Sequence, residues 1–142
     1  MEDYKYKEIT GKVIGAAMEV HKVLGNGFTH VEFIFQMYSW SFAIQEVIYQ
    51  RCLAIELERA GIEFGREVEQ TIYYNGINVG TRRADFVVEN KVIVELKALT
   101  NLEDVHLAQA KNYVVAYKFE KGLLINFGAT SLQYKLIFNQ NL

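Results

Sequence analysis

The chain has 142 residues, is 51% hydrophobic and carries a formal net charge of −2. That size and apolar content suit one domain with a proper core, and the slightly acidic balance excludes the broad basic field of an abundant nonspecific nucleic-acid binder, so any such contact must be local. The single cysteine, Cys52, excludes an internal disulfide; with no secretory leader pattern and no apolar run of spanning length, a reducing cytoplasm and a buried, inert thiol are expected.

Residues 9–24 place Ile14, Ala17, Met18 and His21 at helical spacing, and Gly25-Asn26-Gly27 supplies a stop. His21 falls on the apolar side of that helix, where it is either a satisfied core histidine or a ligand. From Thr29 to Ile44 the aromatics Phe33, Phe35, Tyr38, Trp40 and Phe42 crowd together without clean periodicity. They are extra core or, if exposed, a homodimer or partner surface; Glu32 and Gln36 argue against a membrane span. A second helix is predicted over Ala43–Ala60, with Tyr49, Leu53 and Leu57 on one stripe and Glu46 three positions before Tyr49. Glu46 is thereby aimed at the core, unless it sits in the first turn and only complements the helix dipole.

Strand-like alternation follows over Ile62–Tyr74, Ile77–Val88 and Lys91–Leu99, with a turn at Asn75-Gly76, which reads as an antiparallel three-stranded meander. A helix over Leu102–Tyr117 puts His106, Gln109 and Tyr113 on one face, and Gly122–Phe127 and Gln133–Phe138 are short strands that complete the sheet. This order implies an α+β fold with helices packed on a mixed sheet.

Asp85, Glu95 and Lys97 stand inside otherwise apolar strand sequence. Positions i and i+2 of a strand point the same way, so Glu95 and Lys97 project together. Whether Asp85 joins them depends on the connection: a two-residue loop at Glu89 and Asn90 sets Asp85 opposite Val94, whereas a three-residue loop through Lys91, with Asn90 tolerating positive φ, sets it opposite Glu95. Two acids held together repel unless a cation lies between them, and oxygen-only ligands suit Mg²⁺ or Mn²⁺ better than zinc. The plain alternative is a Lys97–Glu95 salt bridge on a solvent-facing strand.

Asp85, then Glu95-Leu96-Lys97, then a helix carrying Gln109 and Tyr113 resembles the PD-(D/E)XK nuclease superfamily with a RecB-like Gln-x-x-x-Tyr motif. More narrowly, the stretches 19–28, 45–62, 82–99, 105–113 and 122–128 resemble the GxxExxY proteins over nearly the whole chain, except that residues 29–44 separate the glycine turn from the glutamate helix and split the name motif. The resemblance implies a restriction-endonuclease-like core in a single domain with an aromatic-rich insertion at about 29–44. It implies a metal-dependent phosphodiester hydrolase acting on DNA or RNA, with Asp85, Glu95 and the Leu96 carbonyl holding Mg²⁺ or Mn²⁺ and Lys97 positioning or deprotonating the attacking water. Glu46 and His21 are further candidate ligands, and Gln109 and Tyr113 would steady the lysine or touch the nucleic-acid backbone. The rival expectation is a catalytically silent nuclease-fold module, dimeric through the aromatic insertion.

Overall fold

A computed structural model describes residues 6–26 and 41–141. Two helices come first, α1 (Lys7–Leu24) and α2 (Ser41–Arg59). α1 ends at the predicted stop: Gly25 takes a φ of 65°, which glycine adopts without a Cβ penalty, and its N–H donates to the His21 carbonyl at 2.7 Å. The inward stripe is not the expected one. Thr10, Val13, Ala16, Ala17 and Val20 are buried, while Met18 is half exposed and Ile14 only partly covered. The two stripes are offset by one residue, roughly 100° of helical rotation, and both are apolar, so the packing of α2 against α1 selects between them.

On α2 the expected stripe holds, with Tyr49, Leu53 and Leu57 buried. Tyr49 stacks on Phe127 with ring centroids 4.6 Å apart, and its hydroxyl donates to the Gly25 carbonyl at 3.1 Å, tying α2 to the end of α1. Cys52, expected to be buried, is only partly covered. The aromatic insertion predicted at 29–44 lies outside the described residues up to Ser41, where α2 begins.

The remaining elements are β1 (Phe64–Tyr74), β2 (Ile77–Val88), β3 (Val92–Lys97), α3 (Asp104–Ala116), β4 (Lys121–Asn126) and β5 (Gln133–Phe138). The strands lie in the order β1-β2-β3-β4-β5, antiparallel throughout except for parallel β3 and β4, which α3 connects as a parallel pair requires. The α+β fold with a mixed sheet is therefore as expected. β3 and β4 are covered on both faces, which is why their sequences read as almost continuous apolar runs. Val92, Val94 and Leu96 pack with α1 and α2 on one face; Ile93 packs on the other with Ala84, Val87 and Tyr117, and α3 covers Leu124 and Ile137 there. The result is three layers, helix on sheet on helix, with β3 at the centre.

The chain leaving β3 is held by a polar knot. Asn126, fully buried beside Lys97 in the parallel ladder, accepts the Leu99 N–H at 2.7 Å and donates to the Leu99 carbonyl and to Gln133 Oε1, each at 2.9 Å. Gln133 in turn accepts the Leu102 N–H at 2.9 Å. Gly128 lets this crossing close, because a Cβ there would overlap the backbone of Ala98 and Leu99. A backbone clash cannot be relieved by a rotamer change, so Gly128→Ala is expected to lower unfolding free energy by about 3 kcal/mol, read as a drop in urea midpoint at unchanged slope.

Candidate active site

β2 and β3 pair only through Phe86–Val94, Val87–Ile93 and Val88–Val92. Val88 opposite Val92 leaves Glu89, Asn90 and Lys91 as the connection, which is the three-residue alternative. The Lys91 N–H donates to the Val88 carbonyl at 3.0 Å, and Glu89 (φ 51°) as well as Asn90 (φ 55°) is left-handed. One step further the register would set Asp85 against Glu95, but the ladder has ended, and the Asp85 carboxylate fills the gap between the splaying strands. Its Oδ2 accepts the Leu96 N–H at 2.8 Å and its Oδ1 accepts from Gln50 Nε2 at 3.0 Å. Both oxygens are thus fixed from two directions while each keeps a lone pair for another partner.

Glu95 leaves β3 on the side of Ile93 and Lys97, towards α3. It is 7% exposed, and among the described residues its Oε1 has no hydrogen-bond partner. Burial, reinforced by the charge of Asp85 and a hydrogen bond with it, pushes this carboxyl up to about 8 against the opposing pull of Arg82 and Lys97. The exposed Lys97–Glu95 salt bridge does not form: Glu95 is buried, and no ion pair joins the two among the described residues.

Glu46 reaches the same end of β3. It lies beyond the first turn of α2, which carries no acid, so it is not an ornament of the helix dipole. Burial raises its carboxyl, and Asp85 adds to that; Lys97, a hydrogen bond from the Ala98 backbone and Arg82 pull the other way. His21 is half-buried, and its Nε2 lies 3.0 Å from the Ala129 carbonyl, which occupies one ring nitrogen. Among the described residues no three His, Cys, Asp or Glu side chains converge, so neither Glu46 nor His21 completes a side-chain cage with Asp85 and Glu95.

Facing Glu95 across a small recess of about 10 Å³, room for about one water molecule, are Arg82, Lys97, His106, Gln109 and Tyr113. The Gln-x-x-x-Tyr pair is therefore brought to the acids. Gln109 is exposed at the rim, and the Tyr113 ring is covered by the Arg82 guanidinium, with Cζ 3.5 Å from the centroid. His106 accepts the Glu103 N–H on Nδ1 at 3.0 Å as half of a capping box, so it starts α3.

Sequence reasoning missed Gln50 and Asn126. Gln50 had a usable signal, since it falls one turn after Glu46 on the same helix side. Asn126 had none, because the Leu99 backbone it clamps is 27 residues away.

A three-layer fold with two acids and a lysine gathered at the end of its central strand defines a restriction-endonuclease-like protein. The family model of the PD-(D/E)XK nuclease superfamily matches residues 7–137, and the chain belongs to that superfamily. The crystal structure of SSO0001 is similar in fold, with a TM-score of 0.55 and 23% identity over 74% of this chain. The match covers 55% of that protein, so the chain spans just over half its length. No curated protein matches the chain. No described helix is long and apolar enough to cross a membrane.

Proposed function

We propose that the protein is a cytoplasmic Mg²⁺- or Mn²⁺-dependent nuclease that hydrolyses phosphodiester bonds of DNA or RNA, its catalytic unit a single GxxExxY-like domain. The observation that carries this reading is the buried, unpartnered Oε1 of Glu95 beside an Asp85 carboxylate already anchored at both oxygens. Without a cation the pair must store a proton, and a divalent ion is the partner that would release it. The donor set fits: two carboxylates and a backbone oxygen, with remaining positions left to water, is how Mg²⁺ is commonly held.

Asp85, Glu95 and the Leu96 carbonyl would hold the ion, with Glu46 and His21 as outer candidates. When bound, it supplies Lewis-acid chemistry, easing deprotonation of water and offsetting charge on the phosphoryl oxygens. Lys97, half-buried near Glu46 and Glu95, holds the attacking water and accepts its proton or stabilises the charge that develops. Gln109, at the rim, contacts the strand backbone, and Tyr113 lines the recess behind it.

Calorimetry with Mn²⁺ and cleavage of labelled DNA and RNA test the reading together. Wild type is expected to bind Mn²⁺ and cut, and Asp85→Ala to do neither while retaining its circular dichroism. A wild type that binds no Mn²⁺, or an Asp85→Ala protein that cuts equally well, refutes it.

A further inference from the structure

We infer that Arg82 is a substrate-positioning residue that takes a phosphate oxygen of the bound nucleic-acid strand, and that Tyr113 serves as the rail on which its guanidinium lies. This deepens the nuclease reading and rests on it.

Arg82 sits on β2 three residues before Asp85, beyond the point where β3 stops pairing with β2, so its side chain is free to lean across to α3. There Cζ lies 3.5 Å from the Tyr113 ring centroid, and Tyr113 is itself stacked on Tyr117 with centroids 5.8 Å apart and planes at 11°. Stacking of this kind fixes the plane of a guanidinium and uses none of its five N–H donors. Those donors are not taken by acids either. Among the described residues Arg82 closes no ion pair, and its Nη1 is buried without a hydrogen-bond partner.

An arginine present only to neutralise Asp85 and Glu95 would fold onto a carboxylate. This one lies against an aromatic ring, pre-oriented, beside the Tyr117 hydroxyl and with its Nη1 unpartnered, while lining the recess that also contains Glu95 and Lys97. A planar fork in that state matches a phosphate, and its side-chain entropy is already lost before binding. Arg82 and Lys97 place two cations beside Glu95, so a phosphate drawn to the acids meets positive charge from each. The assignment also gives Tyr113 a different part from steering the lysine: its ring face matters and its hydroxyl does not.

The test is fluorescence anisotropy of a labelled oligonucleotide titrated with salt in the presence of Mn²⁺, using Lys97→Ala protein to prevent turnover. Adding Arg82→Gln is expected to weaken binding about tenfold at low salt and to reduce the slope of log affinity against log salt by about one, the signature of a lost phosphate contact. Arg82→Lys should recover the slope but not the full affinity. Tyr113→Leu should behave as Arg82→Gln does, and Tyr113→Phe as its parent. An unchanged slope in Arg82→Gln, a loss in Tyr113→Phe equal to that in Tyr113→Leu, or no oligonucleotide binding by the parent overturns the inference. Mn²⁺ calorimetry on the same proteins separates the two readings. Intact Mn²⁺ binding with a flat response to Arg82 sinks the arginine alone, whereas a wild type that binds no Mn²⁺ sinks the nuclease reading and leaves Arg82 to be judged by the slope.

Discussion

Replacing Glu95 by glutamine is expected to stabilise the metal-free protein at pH 8 while reducing metal-dependent cleavage by at least about 10³-fold. The Glu95 carboxyl is pushed up to about 8 in the fold, from an ordinary value of 4.5 in an unfolded chain. Between those values the folded state keeps a proton that the unfolded state has released, so unfolding free energy falls as pH rises through the window and levels off above about 8. A shift of that size corresponds to at most about 5 kcal/mol. Glutamine has the shape of the protonated acid and nothing to ionise, so Glu95→Gln should show a much flatter stability profile. Mn²⁺ should rescue wild type at pH 7 to 8, with proton release on binding, and leave the variant unchanged. Urea melts of both proteins at pH 5, 7 and 8.5 decide it. Parallel profiles would mean that the buried carboxyl is not the group that titrates.

Lys97→Ala is expected to reduce the single-turnover cleavage rate by about 10³-fold, or ~4 kcal/mol of barrier, with Mn²⁺ affinity retained or increased. Lys97 faces Glu46 and Glu95 without closing an ion pair among the described residues. Removing its charge therefore takes away a neighbour that repels a divalent ion, even as it removes the group that handles water. Lys97→Arg should not restore the rate, because a planar, delocalised fork cannot take the place of a compact point charge beside the attacking water. Rate and metal affinity are measured on the same preparations. A fall in both together would make Lys97 a structural member of the pocket rather than a participant in the chemistry.

Local rules made much of this site legible. Two-residue spacing on a strand puts Glu95 and Lys97 on one face whatever surrounds them, and the 3.6-residue period aims Glu46 with Tyr49 and brings Gln109 to the same side as Tyr113. The three-residue connection was one of two the residues allowed, and the choice fell to the Val88–Val92 pairing with both Glu89 and Asn90 in left-handed backbone. On α1 the spacing pointed inward through Ile14, Met18 and His21, but packing against α2 buried the apolar stripe one residue away instead.

From its own pattern the chain determined its element order, its apolar central strands and the two acids and lysine that mark the site, because periodicity and strand geometry act over a few neighbours. Contacts between distant segments decided the rest. Gln50 on Asp85, Arg82 on Tyr113, and Asn126 clamping the exit of β3 at Leu99 join residues 27 to 35 positions apart. A polar side chain carries no periodic signal of the partner it will meet, so only the packed layers could assign those three their places.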